Sequence, residues 1–228
     1  MAVTKTLINL NPVKAPALPL APGVYDPLQQ EQLLNALRLY FRGLDNYTQI
    51  VAGPLGTSYL NAPHISASGT VNQYASATNT PTKVLWNVFE SGAGFTLNAN
   101  STATPEKSGV YKIDYSLLFA NTSNAAQDLE VWLQVGGVNV PRSGTLFTLP
   151  ARKSAGVPSY LVAYSSVTFE IEAGQEIALW WATSLAYNPV GPVDGVYMFN
   201  RAAQTSPYAA PAVPAAVGSI VFVSSLTV

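Results

Sequence analysis

The stretch G-V-Y-K-I-D-Y-S-L-L-F at residues 109–119 has an apolar side chain at every second position. A period of two over this length predicts a β-strand with one buried face. The preceding T-P-E-K-S-G (104–109) is rich in turn-forming residues, and its proline and glycine end whatever structure comes before the strand. The positions that we expect to be buried are Tyr111, Ile113, Tyr115, Leu117 and Phe119.

Similar short runs continue along the chain from about residue 55. Gly136-Gly137 is a hairpin signal between two of them, and the proline-containing segment 202–217 predicts a long loop. Nine or ten short strands at this spacing predict an antiparallel sandwich or barrel. Besides 109–119, the candidate strands are 70–75, 83–90, 94–99, 128–135, 138–141, 160–171, 176–183, 196–200 and 219–223.

The order of these pieces resembles the C1q/TNF-like jelly-roll domains over about residues 83–225. The resemblance lies in the threonine/proline turn with G-x-Y-x-I-x-Y and in three segments on either side of it. Only the terminal F-x-G-x-L strand of the family is matched loosely, by S-I-V-F-V-S-S-L (219–226). The resemblance implies a mainly β, antiparallel jelly-roll sandwich that forms homotrimeric heads and is rarely an enzyme. The three segments are K-V-L-W-N-V-F-E-S-G-A-G-F-T-L (83–97), D-L-E-V-W-L-Q-V-G-G-V-N-V (128–140) and V-T-F-E-I-E-A-G-Q-E-I-A-L-W-W (167–181).

Residues 1–25 predict an extended arm, because prolines recur every three or four residues from position 12 to position 22. Proline fixes φ and lacks an amide donor, which excludes a helix and favours a polyproline-like path. The apolar side chains between the prolines need a surface on which to lie, although a flexible tail is the alternative. The expected anchoring residues are Leu7, Leu10, Pro12, Val13, Pro16, Leu18, Pro19, Leu20 and Pro22.

Residues 26–52 predict one helix, with Asp26 as N-cap and Pro27 at the first helical position. Its apolar residues are spaced alternately by four and three, as in a coiled-coil seam. We therefore expect a trimerising helix, and packing on its own domain is the alternative. A connector (53–82) and a jelly-roll head (83–228) follow. The expected interface residues of the helix are Leu33, Leu37, Tyr40, Leu44 and Tyr47.

The front of the chain resembles small virion proteins of tailed, particularly marine, bacteriophages. The resemblance rests on the proline-punctuated arm, on D-P-x-x-x-x-x-L-L-N-A-L-R-L-Y-F-x-x-L-D-N (26–46) and on P-H-I-S-A (63–67). It implies a short fibre, knob or capsid decoration that the arm attaches to other virion proteins of the tail or capsid. The protein would then be assembled in the host cytoplasm and reside in the virion.

The composition agrees with a protein that either has extensive subunit contacts or has a neutral surface of hydroxyl and amide groups. Charged residues make up 10% of the 228 residues, against about 25% in an average globular protein. The net charge is −1, so we expect no binding of nucleic acid, which requires a concentrated basic patch. We also expect no membrane insertion and no secretion by the general route, since neither a spanning apolar run nor a signal-peptide layout is present.

Catalytic residue sets are missing from the sequence. The chain has no cysteine and a single histidine, His64, which has no acidic residue close to it in sequence. Glu170, Glu172 and Glu176 flank one hairpin, but their alternation with apolar residues predicts an outward strand face instead of a carboxylate pair. No phosphate loop, nucleotide fingerprint or metal cluster is visible. We therefore expect a non-enzymatic protein without a cofactor.

Three tryptophans carry the remaining functional hypothesis. Trp132 alternates with the buried positions of its strand, and Trp180 and Trp181 point to opposite sides of theirs. Burial of all three between subunits is the first interpretation, since aromatic residues are enriched at interface cores. An exposed platform that stacks a sugar ring is the second, and it would make the head a host-receptor module that binds carbohydrate.

Overall fold

A computed structural model describes residues 14–18, 24, 26–52, 62–191 and 194–226 of the protein. The chain divides into two compact units, Met1–Asn61 and Ala62–Val228. We describe each unit by itself.

The first unit contains one helix, α1 (Pro27–Ala52). Asp26 caps it: its side-chain Oδ1 accepts a hydrogen bond of 3.0 Å from the Leu28 amide, and its carbonyl accepts the first helical bond from Gln30. Both groups satisfy amide donors that would otherwise lack partners at the helix start. The predicted helix and its cap are confirmed. Within the described residues no helix is long and apolar enough to cross a membrane.

The second unit is built from strands that form two antiparallel sheets. In chain order the strands are β1 (His64–Gly69), β2 (Gln73–Tyr74), β3 (Thr82–Lys83), β4 (Val88–Ala93), β5 (Phe95–Leu97), β6 (Ala103–Pro105), β7 (Gly109–Asn121), β8 (Gln127–Val135), β9 (Val138–Asn139), β10 (Thr145–Leu149), β11 (Ser159–Ile171), β12 (Ile177–Thr183), β13 (Val196–Met198) and β14 (Ala216–Ser224).

The strand order is that of a jelly roll. Sheet A has the order β2-β13-β7-β14-β1-β4. Strands β13 and β14 pair with successive parts of one edge of β7, and β11 pairs with the opposite edge. Sheet B has the order β10-β8-β12-β6-β5, with β3 beside β12 and β9 beside β8. The chain crosses repeatedly between the two sheets, so that strands adjacent in sequence often lie in opposite layers. The predicted fold class, an antiparallel jelly-roll sandwich preceded by one helix, is confirmed.

Strand β7 is the centre of sheet A and of the core. It pairs with β11 along its whole length, from Gly109 opposite Ile171 to Asn121 opposite Ser159. All five side chains predicted to point inward are 5% exposed or less. The ring of Phe119 packs edge-on against Trp181 from sheet B, with centroids 5.2 Å apart. The core therefore lies between the two sheets, as the alternation predicted.

Glycine is required at two kinds of position in this sandwich. Gly136 and Gly137 have φ values of 56° and 81°, which is the geometry of the predicted two-residue hairpin turn between β8 and β9. Gly218 in β14 lies under the ring of Trp86, where a Cβ would come within 2.8 Å of the ring. A side chain at position 218 would displace the partly buried Trp86 from its contact with the core.

The predicted boundary between connector and head at residue 83 is wrong. Residues 64–69 form β1, which pairs with β14 at six positions and with β4 on its other side. The compact unit accordingly begins at Ala62. The sequence H-I-S-A-S-G was not predicted as a strand because small residues occupy both of its faces. Its hydrophobic alternation is therefore weak.

Other strand boundaries also differ from the prediction. The strand expected at 70–75 is reduced to β2, and the one expected at 83–90 divides into β3 and β4. Strands β6 and β10 were not predicted. The long loop at 202–217 is confirmed up to the start of β14, and isolated bridges join Arg201 to Val213 and Gln204 to Ala210 across it.

Replacing Phe119 with alanine should destabilise the head strongly. The side chain is fully buried and packs on Trp181, and Phe-to-Ala changes in cores cost about 3–5 kcal/mol. Urea unfolding followed by circular dichroism measures the change. Tyr208→Ala is the control, because this ring is 60% exposed and should change stability by about 0.5 kcal/mol or less. Equal unfolding midpoints for the two variants would contradict the assignment of the core.

Candidate functional site

The outer face of sheet A carries a cluster of five aromatic rings at one end. Tyr74 stacks on Tyr187 and on Tyr197, with ring centroids 5.7 and 5.6 Å apart, and Tyr187 and Tyr197 are 4.9 Å apart. Phe199 connects this group to Tyr160, with centroids 5.1 Å apart. We call these five residues the aromatic cluster. Tyr197 pairs with Tyr74 of β2, and both Tyr197 and Tyr160 pair with Ala120 of β7. Ala120 alternates with the inward residues of β7, so these three tyrosines lie on the side of sheet A away from the core.

The aromatic cluster desolvates its central hydroxyl. Burial, followed by the neighbouring phenols of Tyr160, Tyr187 and Tyr74, raises the pKa of Tyr197 to about 12. The phenol is therefore neutral throughout the physiological range. A neutral, partly desolvated ring suits packing against another apolar surface better than it suits acid–base chemistry.

A second apolar region continues from the aromatic cluster across sheet A. Val162 and Tyr164 on β11 are 56% and 59% exposed, and Val217 and Val221 on β14 are 41% and 42% exposed. Strand β7 lies between these two strands. The outward residues of β7 between them include Ser116, Asp114 and Lys112, so the exposed apolar side chains of this face alternate with polar ones. Exposed apolar groups of this kind, next to the aromatic cluster, mark a candidate interaction surface.

One ion pair lies within this patch. Lys112 Nζ is 3.1 Å from Asp114 Oδ2 on the outward side of β7. Burial disfavours the charged form of Asp114, but hydrogen bonds from Ser166, Lys112 and Tyr164 and the charge of Lys112 outweigh burial, so the pKa of Asp114 is lowered. The two charges neutralise each other, and the outer face of sheet A thus has little net charge at this point.

The outer face of sheet B has a different character. Trp132 and Trp180 lie directly opposite each other in the pairing of β8 with β12, and Lys83 of β3 lies on the other side of Trp180. Both indoles are partly exposed. Lys83 Nζ is 5.5 Å from the centre of the Trp180 ring, a cation–π distance. These three residues form one row across three strands.

Trp181 does not belong to a surface. It is 0% exposed and packs in the core of its own subunit, so its predicted role at a trimer interface is wrong. Neighbouring residues of a strand point to opposite faces, and here that alternation buries Trp181 and leaves Trp180 on the outer face. The role of Trp132 and Trp180 between subunits stays a prediction.

The predicted interface residues of α1 lie along one side of the helix. Leu33, Leu37, Tyr40 and Tyr47 are partly buried, and Leu44 is 38% exposed. Of the predicted anchoring residues, Pro16 and Leu18 are described, and Leu18 is exposed. The remaining anchoring residues, Leu7, Leu10, Pro12, Val13, Pro19, Leu20 and Pro22, lie outside the described residues.

The acidic residues and the histidine that were considered for catalysis are dispersed. Glu170 and Glu172 are exposed on the outward side of the β11 end, and Glu176 is exposed before β12. His64 starts β1, with Nδ1 2.9 Å from the Ala62 carbonyl oxygen. Among the described residues, no group of three or more histidines or acids could hold a metal ion.

Sequence reasoning missed the aromatic cluster. A signal existed in part, because Tyr160, Val162 and Tyr164 are apolar on the side of β11 opposite to Leu161 and Ala163. Such a strand has apolar residues on both faces, which indicates that the second face is also covered. The contribution of Tyr74 and Tyr187 could not be inferred, because these residues are distant in sequence and only the sheet pairing joins them.

Removing the hydroxyl of Tyr197 should change the alkaline titration of the protein. Because the pKa is raised in the folded chain, the neutral phenol contributes stability that is fully present below pH 10 and is lost as the pH rises through about 12. Ultraviolet titration of wild type minus Tyr197→Phe should show one tyrosine that ionises near pH 12. In concentrated urea the same difference should move to about pH 10. A folded-state difference centred at pH 10 would contradict the desolvated cluster.

Comparison with known proteins adds little to this geometry. The sequence matches no protein-family model and no curated protein. Among solved structures, the chain is similar to Eiger TNF from S. frugiperda, with 10% sequence identity and a TM-score of 0.43 over 73% of this chain and 94% of that chain. The assignment of the jelly roll rests on the order and register of the strands described above.

Proposed function

We propose that this chain is a non-enzymatic, homotrimeric structural protein of a bacteriophage virion, which displays a jelly-roll head and attaches to the particle through its N-terminal arm. It would act as a short fibre or knob on the tail, or as a decoration of the capsid. The observation that carries the proposal is the exposed apolar outer face of sheet A.

A second copy of the chain is the best occupant for that face. The aromatic cluster, with Val162, Tyr164, Val217 and Val221, extends over several strands of sheet A. An isolated head would leave this patch in water, at a cost of about 25 cal/mol per Å² of apolar surface. When the surface is covered, Lys112 and Asp114 would both lose water, and their mutual attraction with the hydrogen bonds from Ser166 and Tyr164 would offset part of that cost.

The helix supports the same oligomer. A seam spaced by four and three residues is typical of helices that associate in parallel, and a parallel bundle would join the heads in one oligomer. Three copies fit the C1q/TNF-like resemblance of the sequence. Low charge throughout the chain agrees with extensive subunit contacts.

The N-terminal arm favours a place in a virion. Pro16, Pro19 and Pro22 are spaced by three residues, the repeat of a polyproline helix. Such an arm loses little entropy when it docks, and the leucine and valine side chains supply apolar contact area. Three arms on one trimer would add avidity, so that each needs only modest affinity.

A second function, host-receptor binding, is compatible with the first. The partly exposed pair of Trp132 and Trp180 favours it, because these rings lie on sheet B, the layer opposite the proposed subunit interface. A trimer packed through sheet A would leave them pointing outward, so in this proposal the two rings do not have the role between subunits that the sequence predicts.

Cysteine labelling should distinguish the two outer faces. The chain contains no cysteine, so a single introduced thiol reports on one position. Val162→Cys (sheet A) and Val138→Cys (β9 of sheet B) replace side chains that are 56% and 70% exposed in the subunit. In the intact protein we expect maleimide to label position 138 at least about tenfold faster, because a covered interface excludes the reagent. Light scattering should give the mass of a trimer.

Two results would oppose this assignment. A stable monomer at micromolar concentration would exclude the trimer, and equal labelling rates in a confirmed trimer would move the interface away from sheet A. Labelling of both variants in urea is the control for the intrinsic reactivity of each thiol.

Deleting residues 2–22 should separate assembly from attachment. The truncated protein should stay folded and trimeric, since the head and the helix lie after the deletion, and it should fail to join particles. Protein mass spectrometry of purified particles measures its copy number against that of the full chain. Incorporation at the normal copy number would show that attachment lies elsewhere.

A further inference from the structure

We infer that the outer face of sheet B holds a binding site for a neutral oligosaccharide, built on the pair of Trp132 and Trp180. The inference rests on the proposed function in one respect: packing through sheet A leaves sheet B facing outward. The site itself is defined by residues of a single chain.

The two indoles form one platform. Trp132 and Trp180 are directly opposed residues of an antiparallel pair, a relation that places their Cβ atoms about 4.5–5.5 Å apart on one face of the sheet. Ala178 and Ala182 flank Trp180 on the same face of β12, since they lie two residues before and after it. Ala178 is buried and Ala182 is partly exposed, so the accessible side of the Trp180 ring is the one toward Ala182.

The orientation of one ring is fixed before any ligand binds. Trp132 Nε1 donates a hydrogen bond of 3.0 Å to Asn139 Oδ1, which also accepts a longer bond of 3.4 Å from Gln134 Nε2. A ring that is held in place loses little freedom when a ligand stacks on it. The two amide side chains also lie at the edge of the platform, where the hydroxyl groups of a stacked sugar would reach them.

The second ring contains an unsatisfied donor. Trp180 Nε1 is shielded from solvent and has no hydrogen-bond acceptor among the described residues. The Lys83 ammonium lies over this ring and makes a 3.4 Å hydrogen bond to the Asn100 carbonyl at the exposed surface. Because the lysine side chain is long and flexible, a ligand can displace it and bring an acceptor oxygen toward the indole N–H. A buried donor without a partner costs free energy that such a ligand would recover.

The charges around the platform select a neutral ligand. Asp128 and Glu130 lie on the outward side of β8 and are exposed, and Glu176 is exposed before β12. Lys83 is the cation in the row of the two indoles. Arg142 is a second exposed cation, next to Ser143, which bonds β8 at Leu133. The platform therefore has no concentrated charge of one sign, which phosphate, uronate and nucleic acid would need for binding. A neutral sugar has an apolar C–H face for the rings and hydroxyl groups for the amides, so it fits both parts of the site.

Binding of defined hexasaccharides to the full-length trimer tests this site. The probes are maltohexaose, cellohexaose and chitohexaose as neutral ligands and hexagalacturonate as the acidic one, measured by calorimetry and tryptophan fluorescence. We expect at least one neutral probe to bind and hexagalacturonate to bind more weakly. Trp132→Ala should weaken binding of the neutral probe about tenfold, which corresponds to about 1.4 kcal/mol. Tyr208→Ala is the matched control for loss of an exposed aromatic ring and should bind as the wild type does.

The wild type supplies a test that does not depend on the folding of a variant. A bound neutral hexasaccharide should protect the partly exposed Trp132 and Trp180 from iodide quenching, while Trp181 is already buried and the partly exposed Trp86, which lies against Gly218 of sheet A, should give a constant background. No binding of any neutral probe at millimolar concentration, unchanged affinity in folded Trp132→Ala, or stronger binding of hexagalacturonate would each overturn the inference. These results leave the proposed function standing if the protein is still a trimer and still joins particles, whereas a monomer with normal sugar binding would overturn the trimer alone.

Discussion

The pairing of β7 with its neighbours is the constraint on which the rest of the head depends. This strand is hydrogen-bonded to β11 over thirteen residues on one edge and to β14 and then β13 on the other. Its inward side chains fill the core, and its outward side chains lie between the apolar positions of β11 and β14. A shift of one residue in this register would exchange the two sets and expose the core.

The same alternation gives the two outer faces different surfaces. On sheet A it places valine and tyrosine side chains outward, beside the aromatic cluster at one end. On sheet B it places Trp132 and Trp180 outward among amides and carboxylates. An apolar face with one neutralised ion pair suits contact with another protein surface, and an aromatic row with a polar rim suits a hydroxylated ligand. The two proposed roles, assembly and recognition, therefore use different faces of the sandwich.

The tryptophans illustrate how a register decides a role. The sequence predicts that Trp132, Trp180 and Trp181 lie at an interface or on the surface, because the inward face of each strand cannot bury every aromatic residue that the strand carries. In the structure Trp181 packs on Phe119 between the sheets, so its burial needs no partner subunit. Trp180 is left opposite Trp132 and beside Lys83. Most of the other exposed aromatic side chains lie on sheet A, in the aromatic cluster, which the sequence did not predict.

Local periodicity determined the elements that the sequence could predict. Strands β7, β8, β11 and β12, the Gly136-Gly137 turn and the capped helix α1 each carry their signal within a few consecutive residues. Strand β1 has small residues in place of large apolar ones, so its position beside β14 depends on the register of the sheet. The aromatic cluster combines Tyr74, Tyr160 and residues near 187–199, which only strand pairing brings together. Alternation along a strand says which side chains share a face, but long-range pairing decides which faces meet and which stay open.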